Sequence, residues 1–228
     1  LRMSFEEKIQ RTKELILEWY LQYGGNVYVS FSGGKDSTAL LHLARSIKGC
    51  ENITGVFFDT GLEFPEIREF VKKQENIIWV KPDLTFKQVL EKYGYPVISK
   101  EQAQYINEAK HTNSEKLRGI RLGTGIGHIA NKWRDLIDAD FEVSHKCCLA
   151  MKKRPAASFE KKTGMKPIVG TMASESNLRL QRYFNGNCNA FSAKHPKSKP
   201  LSFWNEQDVL RYLSENNIEI SSIYGKIE

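Results

Sequence analysis

One run of residues, Val27-Tyr28-Val29-Ser30-Phe31-Ser32-Gly33-Gly34-Lys35-Asp36-Ser37-Thr38, constrains this chain more than any other. Val27, Val29 and Phe31 read as a strand whose neighbours are also apolar or aromatic, the pattern of a strand covered on both faces. Gly33 and Gly34 allow conformations and close approaches that a side chain would block, so backbone amides can close around an anion. Residues 38–44 are strong helix formers, and the start of that helix aims unpaired amides and the positive end of its dipole at the same place. Ser32, Ser37 and Lys35 add hydroxyl and ammonium donors. Asp36 is the odd member, because a carboxylate beside phosphate is repulsive unless it caps the helix or meets a metal ion. Strand, turn and helix in register predict a phosphate cradle rather than an ordinary glycine turn.

The same alternation continues along the chain. Residues 4–22 read as an amphipathic helix with Phe5, Ile9, Ile16, Trp19 and Tyr20 on one side, ended by Gly24-Gly25. Its apolar face could lie beneath a sheet or against a second copy of the chain, which makes a homodimer an expectation. Strands are predicted at 53–58 and 77–80, and helices at 65–73, opened by Pro65, and at 86–93. Residues 99–165 interrupt the pattern with helices at 101–117 and 129–137. Gly119, Gly123, Gly125 and Gly127 read as a flexible connection between them, since no strand precedes the cluster. Residues 166–171 resume the sheet, 174–182 form a short helix or turn, and 200–203 form the last strand. Asn205 then caps a final helix through Leu213, supported by Asp208.

These spacings predict an α/β fold of three layers, α/β/α, around a mostly parallel, Rossmann-like sheet with a helical insert. A single domain over residues 1–228 would carry an N-terminal helix (1–25) and that insert (99–165). Right-handed crossovers would set the 32–37 turn and the 59–66 turn side by side at the carboxyl edge of the sheet, the expected site.

With 228 residues and 40% hydrophobic side chains, the chain can bury a sizeable core. No run is apolar for long enough to span a bilayer, and no signal-peptide pattern is present, so a soluble cytoplasmic protein is expected. Residues 141–200 hold 12 basic and 3 acidic residues, a local balance of +9 that leaves −2 for the rest of the +7 chain. That concentration suits a polyanion, either a nucleotide with several phosphates or a nucleic acid. Lys152, Lys153, Lys161 and Lys162 individually read as a solvated helix face. Cys50, Cys147, Cys148 and Cys188 are too few for a disulfide framework. The adjacent pair Cys147-Cys148, preceded by His145-Lys146 and followed by a basic helix, sits where thiol pKa would fall.

The hexapeptide Ser32 to Ser37 resembles the PP-loop of the ATP pyrophosphatase superfamily. Asp59-Thr60-Gly61-Leu62-Glu63-Phe64-Pro65-Glu66 resembles the Asp-Thr-Gly-x-x-Phe-Pro-Glu signature of the phosphoadenosine phosphosulfate (PAPS) reductase family. Gly170 to Arg179 and Pro200-Leu201-Ser202-Phe203-Trp204 fall where that family has its substrate loop and its Pro-(Ile/Leu)-x-x-Trp segment.

This resemblance implies an enzyme of sulfur metabolism that takes an adenine nucleotide, ATP or PAPS/APS. The nucleotide would meet Ser30, Phe31, Ser32, Gly33, Gly34, Lys35, Asp36, Ser37, Asp59, Thr60, Gly61, Gly170, Thr171, Ser176, Arg179 and Arg182. Lys35, Asp36, Asp59, Arg179, Cys147 and Cys148 would carry the chemistry, with Asp36 and Asp59 helping to place Mg²⁺. Iron–sulfur members hold a [4Fe–4S] cluster with an adjacent cysteine pair and a distant Cys-x-x-Cys pair. Here the first pair is present and the second is not, so Cys147, Cys148 and Cys188 are the candidate ligands, the alternative being half-buried thiols. The family's Glu-Cys-Gly tail is also not among these residues, as expected for a shortened chain or for different chemistry. Paired arginines follow the substrate-loop glycine in family reductases, whereas Gly170 is followed by Thr171, Met172 and Ala173. Sulfonucleotide reduction and ATP pyrophosphatase chemistry both remain open. So do ATP-dependent sulfur insertion on nucleic acid, with a sulfur-donor protein as partner, and a non-catalytic nucleotide-sensing module.

Overall fold

In the computed structural model, which describes residues 3–225, the chain runs α1 (Phe5–Gln22), β1 (Val27–Ser30), α2 (Lys35–Arg45), β2 (Thr54–Phe58), α3 (Pro65–Lys73) and β3 (Ile77–Val80). It continues through α4 (Phe86–Tyr93), α5 (Lys100–His111), α6 (Glu115–Leu122) and α7 (Arg154–Thr163). Then come β4 (Lys166–Ile168), α8 (Asn177–Phe184), β5 (Asn189–Ala190), β6 (Lys197–Ser198) and α9 (Glu206–Glu215). The six strands lie in the order β3-β2-β1-β4-β6-β5, parallel except for the β5–β6 pair. The fold is thus the expected mostly parallel α/β arrangement. Among the described residues, no helix is long and apolar enough to cross a membrane.

Contacts divide the chain into two units. One comprises Leu1–Asp59, Glu63–Val80 and Ser158–Glu228 and contains the whole sheet; the other comprises Thr60–Leu62 and Lys81–Ala157.

In the first unit, β1 is central and its side chains Val27, Tyr28 and Val29 are buried on both faces. α1 begins with a capping box, the Ser4 hydroxyl accepting from the Glu7 amide while the Glu7 carboxylate accepts from the Ser4 amide. Its Phe5, Ile16 and Trp19 enter the core that holds the sheet, the first of the two placements open to that face. A buried relay fixes α1 to the far end of the sequence: Trp204 Nε1 donates to Thr12 Oγ1 at 2.8 Å, and that hydroxyl donates to the Pro200 carbonyl at 3.1 Å.

The sequence expectations hold closely from α1 to α4 and fail in identifiable places beyond. The helix predicted at 101–117 is two helices, because Thr112 is extended and the Ser114 hydroxyl accepts the Leu117 amide at 3.3 Å to start α6. Gly119 lies inside α6 rather than in the connection, and residues 131–137 wind as a 3₁₀ helix. Residues 200–203 form a turn, not the last strand, which comes earlier as β6; Pro200 has no amide to give a ladder and its carbonyl is taken by Thr12. The short antiparallel β5 gave no sequence signal. The second unit has two small cores, one around Ala103, Ile106, Ala109, Ile129 and Val143, the other around Val89, Ala150 and Met151.

Gly33 shows how tightly the turn after β1 is packed. Its φ is +73°, and a Cβ there would lie 2.7 Å from Val71 Cγ2 and 2.9 Å from Ile67 Cγ2, both on α3. Gly33→Ala therefore meets backbone strain and overpacking together, and we expect a loss of about 2–4 kcal/mol in chemical denaturation. A change below about 0.5 kcal/mol would show that α3 yields freely.

Candidate active site

β1 ends at the carboxyl edge of the sheet, and the backbone that follows is closed by two serines. Ser37 Oγ accepts from the Ser32 amide at 3.1 Å, lies 3.0 Å from Ser32 Oγ, and donates to the Gly34 carbonyl at 2.9 Å. Ser32 Oγ accepts from the Gly34 amide at 3.3 Å, and the Thr38 hydroxyl donates to the Gly34 carbonyl at 3.0 Å. The serines and Thr38 therefore shape the loop from within. The amides of Lys35, Asp36 and Ser37 open α2, and first-turn amides have no carbonyl one turn back to bond. Phe31 is in the core and its amide donates to the Val56 carbonyl, so this residue offers an anion no donor. Ser30 is half-buried at the end of β1.

Lys35 is the cation of the loop. Its Nζ lies 2.9 Å from Asp36 Oδ1 and 3.1 Å from Glu206 Oε1. Burial presses its pKa down, but the hydrogen bonds and charges of these two carboxylates outweigh that and leave it raised. Asp36 thus neither caps α2, whose cap is Gly34 without a side-chain bond, nor stands alone. Lys35 and Asp36 line a cavity of about 440 Å³ with Met172, Ser174, Glu175, Asn205, Glu206 and Gln207. Glu206, the first residue of α9, was missed from the sequence; its position directly after the helix cap was the one available signal.

Because β2 pairs beside β1, the turns that follow both strands emerge at one edge of the sheet. Asp59 is 3% exposed and its Oδ2 meets Arg68 of α3 at 3.1 Å. Arg68 was likewise not foreseen. The Thr60 hydroxyl accepts from the Leu62 amide at 3.3 Å, and Gly61 turns with φ +77°. Gly170 brings the next loop onto α2: a Cβ on it would lie 3.4 Å from the Asp36 carbonyl oxygen. Ser176 spends its hydroxyl as the cap of α8, accepting from the Arg179 amide at 3.3 Å. Arg179 is ion-paired with Glu175. Arg179, Arg182 and Thr171 line a second cavity, of about 310 Å³, that shares Met172 with the first.

The cysteines differ from expectation. Cys147 is half-buried and Cys148 exposed, where the chain enters a π-helical turn, Leu149–Lys153. Burial and the neighbouring Cys148 push the Cys147 thiol pKa up, outweighing Lys152, so this thiol is not activated as the basic flank suggested. Burial also raises Cys188, against the hydrogen bond from Ser202. Lys152, Lys153, Lys161 and Lys162 are exposed, as a solvated face requires. Among the described residues, no three His, Cys, Asp or Glu side chains come together in a group that could hold a metal ion. Cys147 and Cys148 belong to the second unit and Cys188 to the first. Asp36 and Asp59 each face a cation and do not by themselves form a Mg²⁺ site.

The family profile described as "Phosphoadenosine phosphosulfate reductase domain" matches residues 26–227. The chain is 26% identical over 219 residues to the adenosine 5′-phosphosulfate reductase of Lysinibacillus sphaericus, covering 92% of this chain and 73% of the relative. It is 35% identical over 220 residues to the enzyme of the same name from Staphylococcus haemolyticus, covering 92% and 70%. It is also 26% identical to sulfate adenylyltransferase subunit 2 of Shewanella frigidimarina, covering 96% of this chain and 65% of the relative. The chain thus spans about two thirds to three quarters of these relatives. The crystal structure of phosphoadenylyl-sulfate reductase from Candida auris in complex with phosphate shares the fold, with a TM-score of 0.52 at 18% identity over 98% of this chain and 92% of that one.

Two outcomes follow from this geometry. Glu206 competes with any anion for Lys35 and its side chain is 64% exposed, so Glu206→Gln should tighten AMP binding about two- to fivefold by calorimetry, the scale of an exposed ion pair; weaker binding would mean that Glu206 helps hold the ligand. Iodoacetamide at neutral pH should label Cys148 before Cys147 and Cys188 in a timed mass-spectrometric assay, and first labelling of Cys147 would contradict its raised pKa.

Proposed function

The chain belongs to the phosphoadenosine phosphosulfate reductase family, and from that premise we propose that it binds an adenine sulfonucleotide at the serine-closed loop and takes part in its reduction. The observation that carries this reading is the loop itself: Lys35 and Asp36, the first two residues of α2, line a cavity of about 440 Å³, large enough for part of a nucleotide.

In this reading the nucleotide's phosphate takes the place of Glu206 at Lys35 while Asp36 stays and keeps the ammonium oriented. Reduction transfers the sulfonyl group from the phosphate oxygen to a thiolate; a second thiol then releases sulfite, and the two thiols end as a disulfide. The adenylate leaves with the bridging oxygen and an additional negative charge. Lys35 and the loop amides are placed to stabilise that charge as it develops, the usual source of rate enhancement at a phosphate leaving group.

A second reading has a specific basis. The sulfate adenylyltransferase relatives and the intact Ser32-Gly33-Gly34-Lys35-Asp36-Ser37 loop both suit ATP, with pyrophosphate as product and Mg²⁺ arriving on its phosphates beside Asp36. Those relatives are named as one subunit, so this reading includes a partner chain.

The deciding experiment offers the protein APS, PAPS and ATP in parallel with a dithiol reductant. We expect sulfite and adenylate from a sulfonucleotide and no pyrophosphate from ATP; pyrophosphate without sulfite would replace the first reading with the second. Asp36→Ala should lower sulfite release at least about tenfold without loss of fold, and unchanged turnover would remove Asp36 and its hold on Lys35 from the mechanism.

A further inference from the structure

The segment that follows α9 carries a hydroxyl to the loop after β1. It leaves the helix through Ile218 and Ile220, both packed on the main core, and through the buried Ser221. Ser222–Tyr224 then wind as one 3₁₀ turn against α3, closed by the Tyr224 amide donating to the Ser221 carbonyl at 3.1 Å. This turn and the loop belong to the same unit. From there Tyr224 reaches Gly34: a Cβ on Gly34 would lie 3.1 Å from Tyr224 Oη and 3.2 Å from Ser32 Oγ. The φ of Gly34 is −80°, which any residue adopts, so it is the approach of these two hydroxyls, not the backbone conformation, that favours glycine at the cap of α2. The two hydroxyls differ in what they bond. Ser32 Oγ meets Ser37 Oγ and the Gly34 amide, whereas Tyr224 Oη has no hydrogen-bond partner among the described residues. Filling space against α3 requires only a ring, which leaves the hydroxyl without a structural task.

We propose that Tyr224 is a ligand-contacting residue: its hydroxyl donates to a non-bridging oxygen of the phosphate held at Lys35 and the start of α2. This rests on the nucleotide reading given above and adds a donor from outside the loop. Lys35 supplies charge, and the first amides of α2 supply donors fixed in the backbone. A phenol is neutral, so it adds a short hydrogen bond to a charged acceptor without crowding a second cation beside Lys35. Two groups thus reach the loop from α9 and its continuation, Glu206 from the first residue of the helix and Tyr224 from the turn beyond its end. Held by Ile218, Ile220 and Ser221, the phenol is in place before a ligand arrives.

Calorimetry on the wild type and Tyr224→Phe with AMP, adenosine and inorganic phosphate tests the contact. Tyr224 is 45% exposed, so removal of one oxygen leaves the fold intact, which circular dichroism checks. Tyr224→Phe should weaken AMP binding about tenfold, the scale of one hydrogen bond to a charged group, and leave adenosine binding unchanged. An AMP affinity within about twofold of the wild type overturns the contact. Tighter AMP binding also overturns it, because the phenol would then obstruct the loop. An equal loss for adenosine and AMP does the same, because the hydroxyl would then meet the nucleoside and not the phosphate. Failure of AMP to bind the wild type refutes the nucleotide reading; the same comparison with inorganic phosphate, weakened or unchanged in Tyr224→Phe, then decides Tyr224. A wild type that binds neither AMP nor inorganic phosphate removes both.

Discussion

A hydroxyl that both accepts and donates holds the site in shape. Ser37 Oγ ties the amide of Ser32 to the carbonyl of Gly34 across the turn, alongside the bonds from the Gly34 amide to Ser32 Oγ and from the Thr38 hydroxyl to the Gly34 carbonyl. That closure fixes where α2 begins, and so where its first amides and Lys35 point. Gly33 then packs against Ile67 and Val71, which passes the position of the loop to α3 and, through Arg68, to the buried carboxylate of Asp59. The phosphate-facing geometry is thus a property of the sheet and its two neighbouring helices rather than of a loose glycine segment.

Much of this was legible in the sequence because local signals and tertiary packing agree there. Pro65 opening α3 and Asn205 with Asp208 capping α9 are each written in a few adjacent residues. Reading failed where a distant partner decides. Residues 200–203 look like a strand, but Thr12, far away in α1, takes the Pro200 carbonyl. The basic flank of Cys147 suggested an activated thiol, but burial opposes it, and burial is not visible in a charge pattern. Glu206 escaped notice because nothing near it in sequence announces that its carboxylate meets Lys35.

Charge is divided between the two cavities in opposite ways. Lys35, the one cation lining its cavity, is held between the carboxylates of Asp36 and Glu206. Around the cavity that shares Met172, Arg182, Lys197 and Lys199 have no carboxylate within ion-pair range among the described residues.

The union of the first and last helices has a practical side. Lys8 meets Asp208 at 2.6 Å, Trp204 bonds Thr12, and Asp208 helps cap the very helix whose first residue holds Lys35. The family profile matches from residue 26, so an expression boundary drawn at its start would discard α1 together with Ile16 and Trp19, both fully buried. A protein trimmed in that way would lose a wall of its core and the anchor of α9, and its poor behaviour in solution would misreport the competence of the intact polypeptide.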